Sequence, residues 1–204
     1  MKVKHVVFDF GGVLYNIDVG LSVKAFDDLF VKYPYCERSE LMNHETVDKF
    51  ERGHYSPDEF RALISARLKN MVKDHEIDDA WRKLLLGVFP DREQKLRDLK
   101  TRVPISLLSN TSSIHYEYFS PQCSDLLGLF EKQFLSFEMG QRKPDHEIYH
   151  TMIEELGLKP GEVVFVDDLA ENIKAANETG IKGIHLSHSD KFDDVLAEIE
   201  GLIN

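Results

Sequence analysis

The chain is poor in cysteine, has no long apolar run and carries no excess of basic residues. Only two cysteines, Cys36 and Cys123, occur in 204 residues. Neither lies in a C-x-x-C or other metal-type spacing, which argues against a disulfide scaffold and against a thiolate zinc site. No segment approaches the roughly 20 apolar residues of a membrane span. The N-terminal run MKVKHVVFDFGG is too short for a secretory apolar region and is broken at Asp9. A cytoplasmic protein without a membrane partner is therefore expected. Lysine and arginine number 25 against 36 aspartates and glutamates, a net charge of −11. Because no basic stripe is present to displace counterions from phosphates, nucleic acid is not expected as a partner.

What is present suits one enzyme-sized domain. A hydrophobic content of 42% is enough for a core, with room for a small inserted subdomain. Lys4 to Phe10 reads as a buried strand ended by the Gly11-Gly12 pair. From Ile17 to Leu86 the pattern changes to charged, amphipathic stretches with apolar residues at helical spacing, such as Phe60, Leu63, Ile64 and Leu68. Ser56-Pro57-Asp58-Glu59 is a helix start within that block, with Ser56 as cap and Pro57 at the first helical position. The second half alternates. Strands are expected at Ile105 to Leu108, Gln133 to Ser136, Val163 to Val166 and Gly183 to Leu186, with helices near Asp145 to Leu156, Ala170 to Thr179 and Phe192 to Ile203. This pattern predicts an α/β fold, a doubly wound parallel sheet covered on both faces. Residues 17–86 then form a helical cap inserted into a core of residues 1–16 and 87–204.

In an open α/β sheet, ligands bind beyond the carboxyl ends of the strands. Four polar groups fall there: Asp9, Ser109-Asn110-Thr111, Arg142-Lys143-Pro144 and Asp167-Asp168. A carboxylate ending a buried strand is costly without a cation or hydrogen bonds, and adjacent carboxylates repel unless a cation sits beside them. Alone, each is a turn or a helix cap. Together they describe an oxygen-ligand site suited to Mg2+, which favours a few carboxylates plus substrate phosphate. Lys143 adds the counter-charge. Ser109 and the amides of Asn110 and Thr111 offer neutral donors to phosphate oxygens.

These four segments, FDFGGVL, LLSN, GQRKPDHEIY and VVFVDDLAENIKAA, resemble the four motifs of the haloacid dehalogenase-like (HAD) superfamily. ERGHYSPDEF and SNTSSIHYEYF are similar to its bacterial sugar-1-phosphate phosphatase branch, so the likeness spans nearly the whole chain. The resemblance implies a magnesium-dependent phosphatase acting on a small phosphorylated metabolite, with glucose-1-phosphate as the named substrate. It implies Asp9 as nucleophile, and Asp9, the Gly11 carbonyl and Asp168 as metal ligands, supported by Asp167 and Asn172. Ser109, Asn110 and Lys143 would bind the phosphoryl group, Ser109 and Lys143 also acting in catalysis. A monomer or weak homodimer is expected.

One position departs from the family pattern. Gly11 stands where most phosphatases of the superfamily carry a second aspartate as acid and base, help worth about 10²–10⁴ in rate. His115, His44 and His54 are the candidate substitutes, since histidine titrates near neutrality. Glu51, Arg52 and His54 are candidates for contact with sugar hydroxyls. Two alternatives stand beside the phosphatase: a 2-haloacid dehalogenase-like hydrolase, and a HAD-fold binding or regulatory protein with weakened turnover.

Overall fold

The computed structural model describes residues 2–33 and 44–203, so Cys36 lies outside the described residues. Among the described residues there are seven strands: β1 (His5–Phe8), β2 (Tyr15–Ile17), β3 (Leu85–Val88), β4 (Ile105–Ser109), β5 (Gln133–Leu135), β6 (Val163–Asp167) and β7 (Lys182–His185). The α-helices among the described residues are α1 (Val19–Lys32), α2 (His44–Glu51), α3 (Pro57–Arg67), α4 (Asp74–Arg82), α5 (Arg92–Lys100), α6 (Ser113–Phe119), α7 (Ser124–Leu127), α8 (Ser136–Met139), α9 (His146–Leu156), α10 (Ala170–Glu178) and α11 (Phe192–Ile203).

The main sheet runs β5-β4-β1-β6-β7, and every neighbouring pair is parallel. Such a sheet needs apolar side chains on both faces, and all residues of β1, β4 and β6 are buried. Val6 and Phe8 point to one side, where Leu96 of α5 and Phe192, Val195 and Ile199 of α11 meet them. Val7 and Phe165 point to the other, against Ile148, Tyr149 and Met152 of α9 and Ile173 and Ala176 of α10. The expected doubly wound architecture is the observed one. Since β1 lies between β4 and β6, the chain order reverses there, and the carboxyl ends of these three strands open onto one crevice.

Helices α1 to α4, with Ile114 of α6, build a third apolar cluster around Phe26, Phe50, Phe60, Ile64, Ile77 and Trp81. Phe50 and Phe60 stack with centroids 4.1 Å apart. Ser56 caps α3 in a full capping box with Glu59, and Pro57 is the first helical residue, as the sequence predicts. The helical block differs from expectation at its ends. Leu85 and Leu86 belong to β3, which pairs antiparallel with β2. A short apolar pair cannot be assigned to helix or strand by periodicity, and here the partner strand decides. Ser136 begins α8 rather than ending a strand, and α6 and α7 occupy the stretch after Ser109 that reads as polar turn. No described helix is long and apolar enough to cross a membrane.

Candidate active site

At the crevice, Asp9 follows β1, Ser109 ends β4 and Asp167 ends β6. Lys143 arrives from the loop before α9, and its side chain is only 1% exposed. All three ammonium hydrogens have acceptors. Nζ donates to Asp9 Oδ1 at 2.6 Å, to Asp167 Oδ2 at 2.8 Å and to the Leu108 carbonyl at 2.9 Å. Burial pulls the Lys143 pKa down, but Asp167 and Asp9 outweigh it and hold the ammonium above the ordinary lysine value. A charged lysine thus sits in the floor of the site and fixes the Asp9 carboxylate.

Asp167 is completely buried and has further donors. The Leu169 N–H reaches Oδ1 at 2.8 Å, and Asn172 Nδ2 lies 3.0 Å from both carboxylate oxygens. Asn172 is itself fixed by the Tyr149 hydroxyl, which donates to its carbonyl at 2.9 Å. Asp167 and Asn172 therefore form a scaffold beneath Lys143.

Carboxylate oxygens of Asp9, Asp167 and Asp168 lie within 4.8 Å of one another. Burial pushes the Asp9 carboxyl up to about 7; Lys143 opposes that rise while Asp167 and Asp168 add to it. Burial, then Asp167, also raises Asp168. Three carboxylates face one lysine, so the cluster has unbalanced negative charge, and its hard oxygen donors fit a divalent cation such as magnesium. Gly12 makes space for this arrangement. Its φ is +76°, and a Cβ there would stand 2.3 Å from Asp168 Oδ2.

The loop after β4 departs from expectation. Asn110 does not offer a free side-chain amide: its Nδ2 donates to the Lys143 carbonyl at 2.9 Å and its Oδ1 accepts the Lys143 N–H at 3.0 Å. The Thr111 N–H is likewise taken, by Ser136 Oγ at 2.9 Å. Asn110 therefore clamps the lysine loop. The Ser109 hydroxyl, 3% exposed, has no hydrogen-bond partner among the described residues.

His115 lines the same cavity as Gly11 and Ser109, but its ring is engaged elsewhere. Its Nε2 contacts the Trp81 carbonyl at 2.9 Å, its ring stacks on Trp81 at 4.6 Å, and burial pushes its pKa down to about 4. The ring is neutral at pH 7, with Nε2–H as the donor. His44 and His54 are exposed. The space beside Gly11 is filled by Ile17, whose Cδ1 would lie 3.0 Å from an added Cβ.

Between these loops and the helical block lies a cavity of about 110 Å³, reached by Gly11, Ser109, Asn110 and Glu51. Glu51 Oε2 accepts from Arg142 Nε at 2.6 Å. Arg52 joins Asp48 at 2.8 Å and Asp145 at 2.7 Å. These pairs link α2 to the residues flanking Lys143. The sequence reading did not foresee Arg142, Asp145, Trp81 or Gly12 in these roles. The one available signal was opposite charge on ERG and QRKPD.

The haloacid dehalogenase-like hydrolase family pattern matches residues 3–180. The D-ribitol-5-phosphate phosphatase of Bacteroides thetaiotaomicron is 30% identical over 189 residues, covering 88% of this chain and 90% of that protein. A sesquiterpene phosphatase from Aspergillus oryzae is 29% identical over 201 residues, 91% of each chain. Among solved structures, a HAD family enzyme from Bacteroides thetaiotaomicron in complex with magnesium and inorganic phosphate superposes with a TM-score of 0.79 at 31% identity, over 90% of this chain and 93% of that one. With the family pattern spanning most of its length, the chain belongs to the haloacid dehalogenase-like hydrolases.

Proposed function

We propose that the protein is a magnesium-dependent phosphomonoesterase that releases phosphate from a small hydroxylated metabolite, a sugar or polyol phosphate such as glucose-1-phosphate, through an aspartyl-phosphate on Asp9. The observation that carries this is the Lys143 bridge, which orients one Asp9 oxygen and leaves Oδ2 without a partner among the described residues. Similarity to a polyol phosphate phosphatase and to a structure holding magnesium and phosphate supports both the reaction and the ion.

In this reading Asp9 Oδ2 attacks phosphorus, and the ester oxygen leaves with its bonding electrons and takes a proton from water, since Gly11 offers no acid. Water then attacks the aspartyl-phosphate, releasing phosphate and restoring Asp9. Lys143 holds Asp9 in line and lowers the cost of charge gathering at the phosphoryl oxygens. Because its hydrogens are already engaged, it acts by field and by positioning Asp9. Asp167, backed by Asn172, keeps the lysine in place, and Ser109 supplies a hydroxyl to a phosphoryl oxygen. Magnesium, when held by Asp9, Asp168 and the Gly11 carbonyl, supplies positive charge to the phosphoryl group. Residues 17–86 serve as a cap over a core of 1–16 and 87–204, closing the cavity over the leaving group.

The test is a panel of phosphorylated metabolites assayed side by side with magnesium. Sugar and polyol phosphates are expected to lead the panel. Release from none of them, or a preference for esters lacking hydroxyls, would contradict the proposal.

A further inference from the structure

The cavity bounded by Gly11, Ser109 and Glu51 is unevenly lined. Tyr15, Ile17, Leu84, Leu85 and Phe119 give it largely apolar walls. Into these walls comes one anionic side chain, Glu51, which is 14% exposed. Its position is fixed from two sides. Arg142 Nε donates to Oε2 at 2.6 Å, and the Arg142 guanidinium also reaches the Lys143 carbonyl at 3.2 Å. Two residues beyond Glu51, Gly53 has φ +69° and approaches the core so closely that a Cβ would lie 2.1 Å from the Phe137 carbonyl oxygen. The end of α2 is thus seated against α8, and the carboxylate is aimed rather than trailing in solvent. Its Oε1 has no hydrogen-bond partner among the described residues.

A fixed carboxylate oxygen in an apolar wall is an acceptor waiting for a donor. It rewards a leaving group that brings a hydroxyl and disfavours one that brings a second anion. We propose that Glu51 is the specificity-determining residue of this site: it accepts a hydrogen bond from a hydroxyl of the leaving group and selects neutral, hydroxylated phosphate esters over phosphorylated acids. The proposal rests on the phosphatase function above and adds the substrate class. Arg142 acts as the positioning residue, linking that choice to the lysine loop.

The experiment uses the full chain with magnesium and compares kcat/KM for D-ribitol-5-phosphate, p-nitrophenyl phosphate and 2-phosphoglycolate. In Glu51→Ala the ratio of ribitol-5-phosphate to p-nitrophenyl phosphate is expected to fall about 10- to 100-fold, the loss of one charge-assisted hydrogen bond. Glu51→Gln keeps the size and an acceptor but not the charge. It is expected to raise 2-phosphoglycolate relative to p-nitrophenyl phosphate, and it serves as the test should the alanine variant not fold. Equal losses on all three substrates would mean that Glu51 only holds α2 in place, and unchanged ratios would equally overturn the proposal. Failure of the wild-type protein to release phosphate from any of the three would instead remove the phosphatase function itself, before any variant is made.

Discussion

Lys143 illustrates how far burial determines what a residue does. An ammonium with 1% exposure survives only because Asp9, Asp167 and the Leu108 carbonyl take its three hydrogens. Removing it leaves two buried carboxylates facing each other. Lys143→Met is therefore expected to lower stability by about 3–5 kcal/mol, read from urea unfolding at pH 7 in chelator; an unchanged midpoint would contradict the bridge. At this scale the sequence was informative where chemistry alone selects a residue. Asp9, Lys143, Asp167 and Asp168 were legible because charged groups at the ends of apolar strands need partners. The clamp that the Asn110 side chain forms on Lys143 was not legible, because these reciprocal bonds join residues 33 apart in sequence and no local signal announces them. His115 is kept neutral by burial, and its contact with the Trp81 carbonyl, from a separate helix, likewise has no local signal in the sequence.

Elements tell a similar story. The Ser56 cap and the strands of the main sheet could be read from local residues, since capping and burial leave direct marks on the sequence. The β2–β3 pair could not, because each strand is too short to show a period and forms only against the other. Helix α2 gains its meaning from docking. Gly53 is the joint, adopting a conformation that costs other residues about 1–3 kcal/mol and leaving no space for a side chain against Phe137. Gly53→Ala is expected to lower stability by about that amount and to speed amide hydrogen exchange across α2 relative to α9. Equal exchange in both proteins would show that α2 is not held there.

Across the whole molecule, the helical block and the sheet domain meet at Trp81. Its indole N–H donates to Ser112 Oγ at 2.9 Å, and its carbonyl accepts from His115 at 2.9 Å. Since burial holds His115 at about 4, against roughly 6.5 for an unfolded histidine, the unfolded chain takes up the proton first. The stability that depends on a neutral, buried His115 is complete above about pH 6.5 and is lost as pH falls through 4. It amounts to about 3 kcal/mol when fully developed. His115→Gln is expected to flatten the pH dependence of the urea midpoint between pH 6.5 and 4; identical slopes would contradict the account of the seam.

Catalysis depends on two acidic loops, one with Asp9 and one with Asp167 and Asp168, converging with Lys143. The most direct measurement is phosphate release from a sugar phosphate by the wild-type protein and by Asp9→Asn, each with magnesium and with excess chelator. The account predicts release by the wild type in magnesium alone, with a loss of at least about 10³-fold in Asp9→Asn, as expected when a nucleophile is removed. Equal release by Asp9→Asn, or release that persists undiminished in chelator, would contradict it.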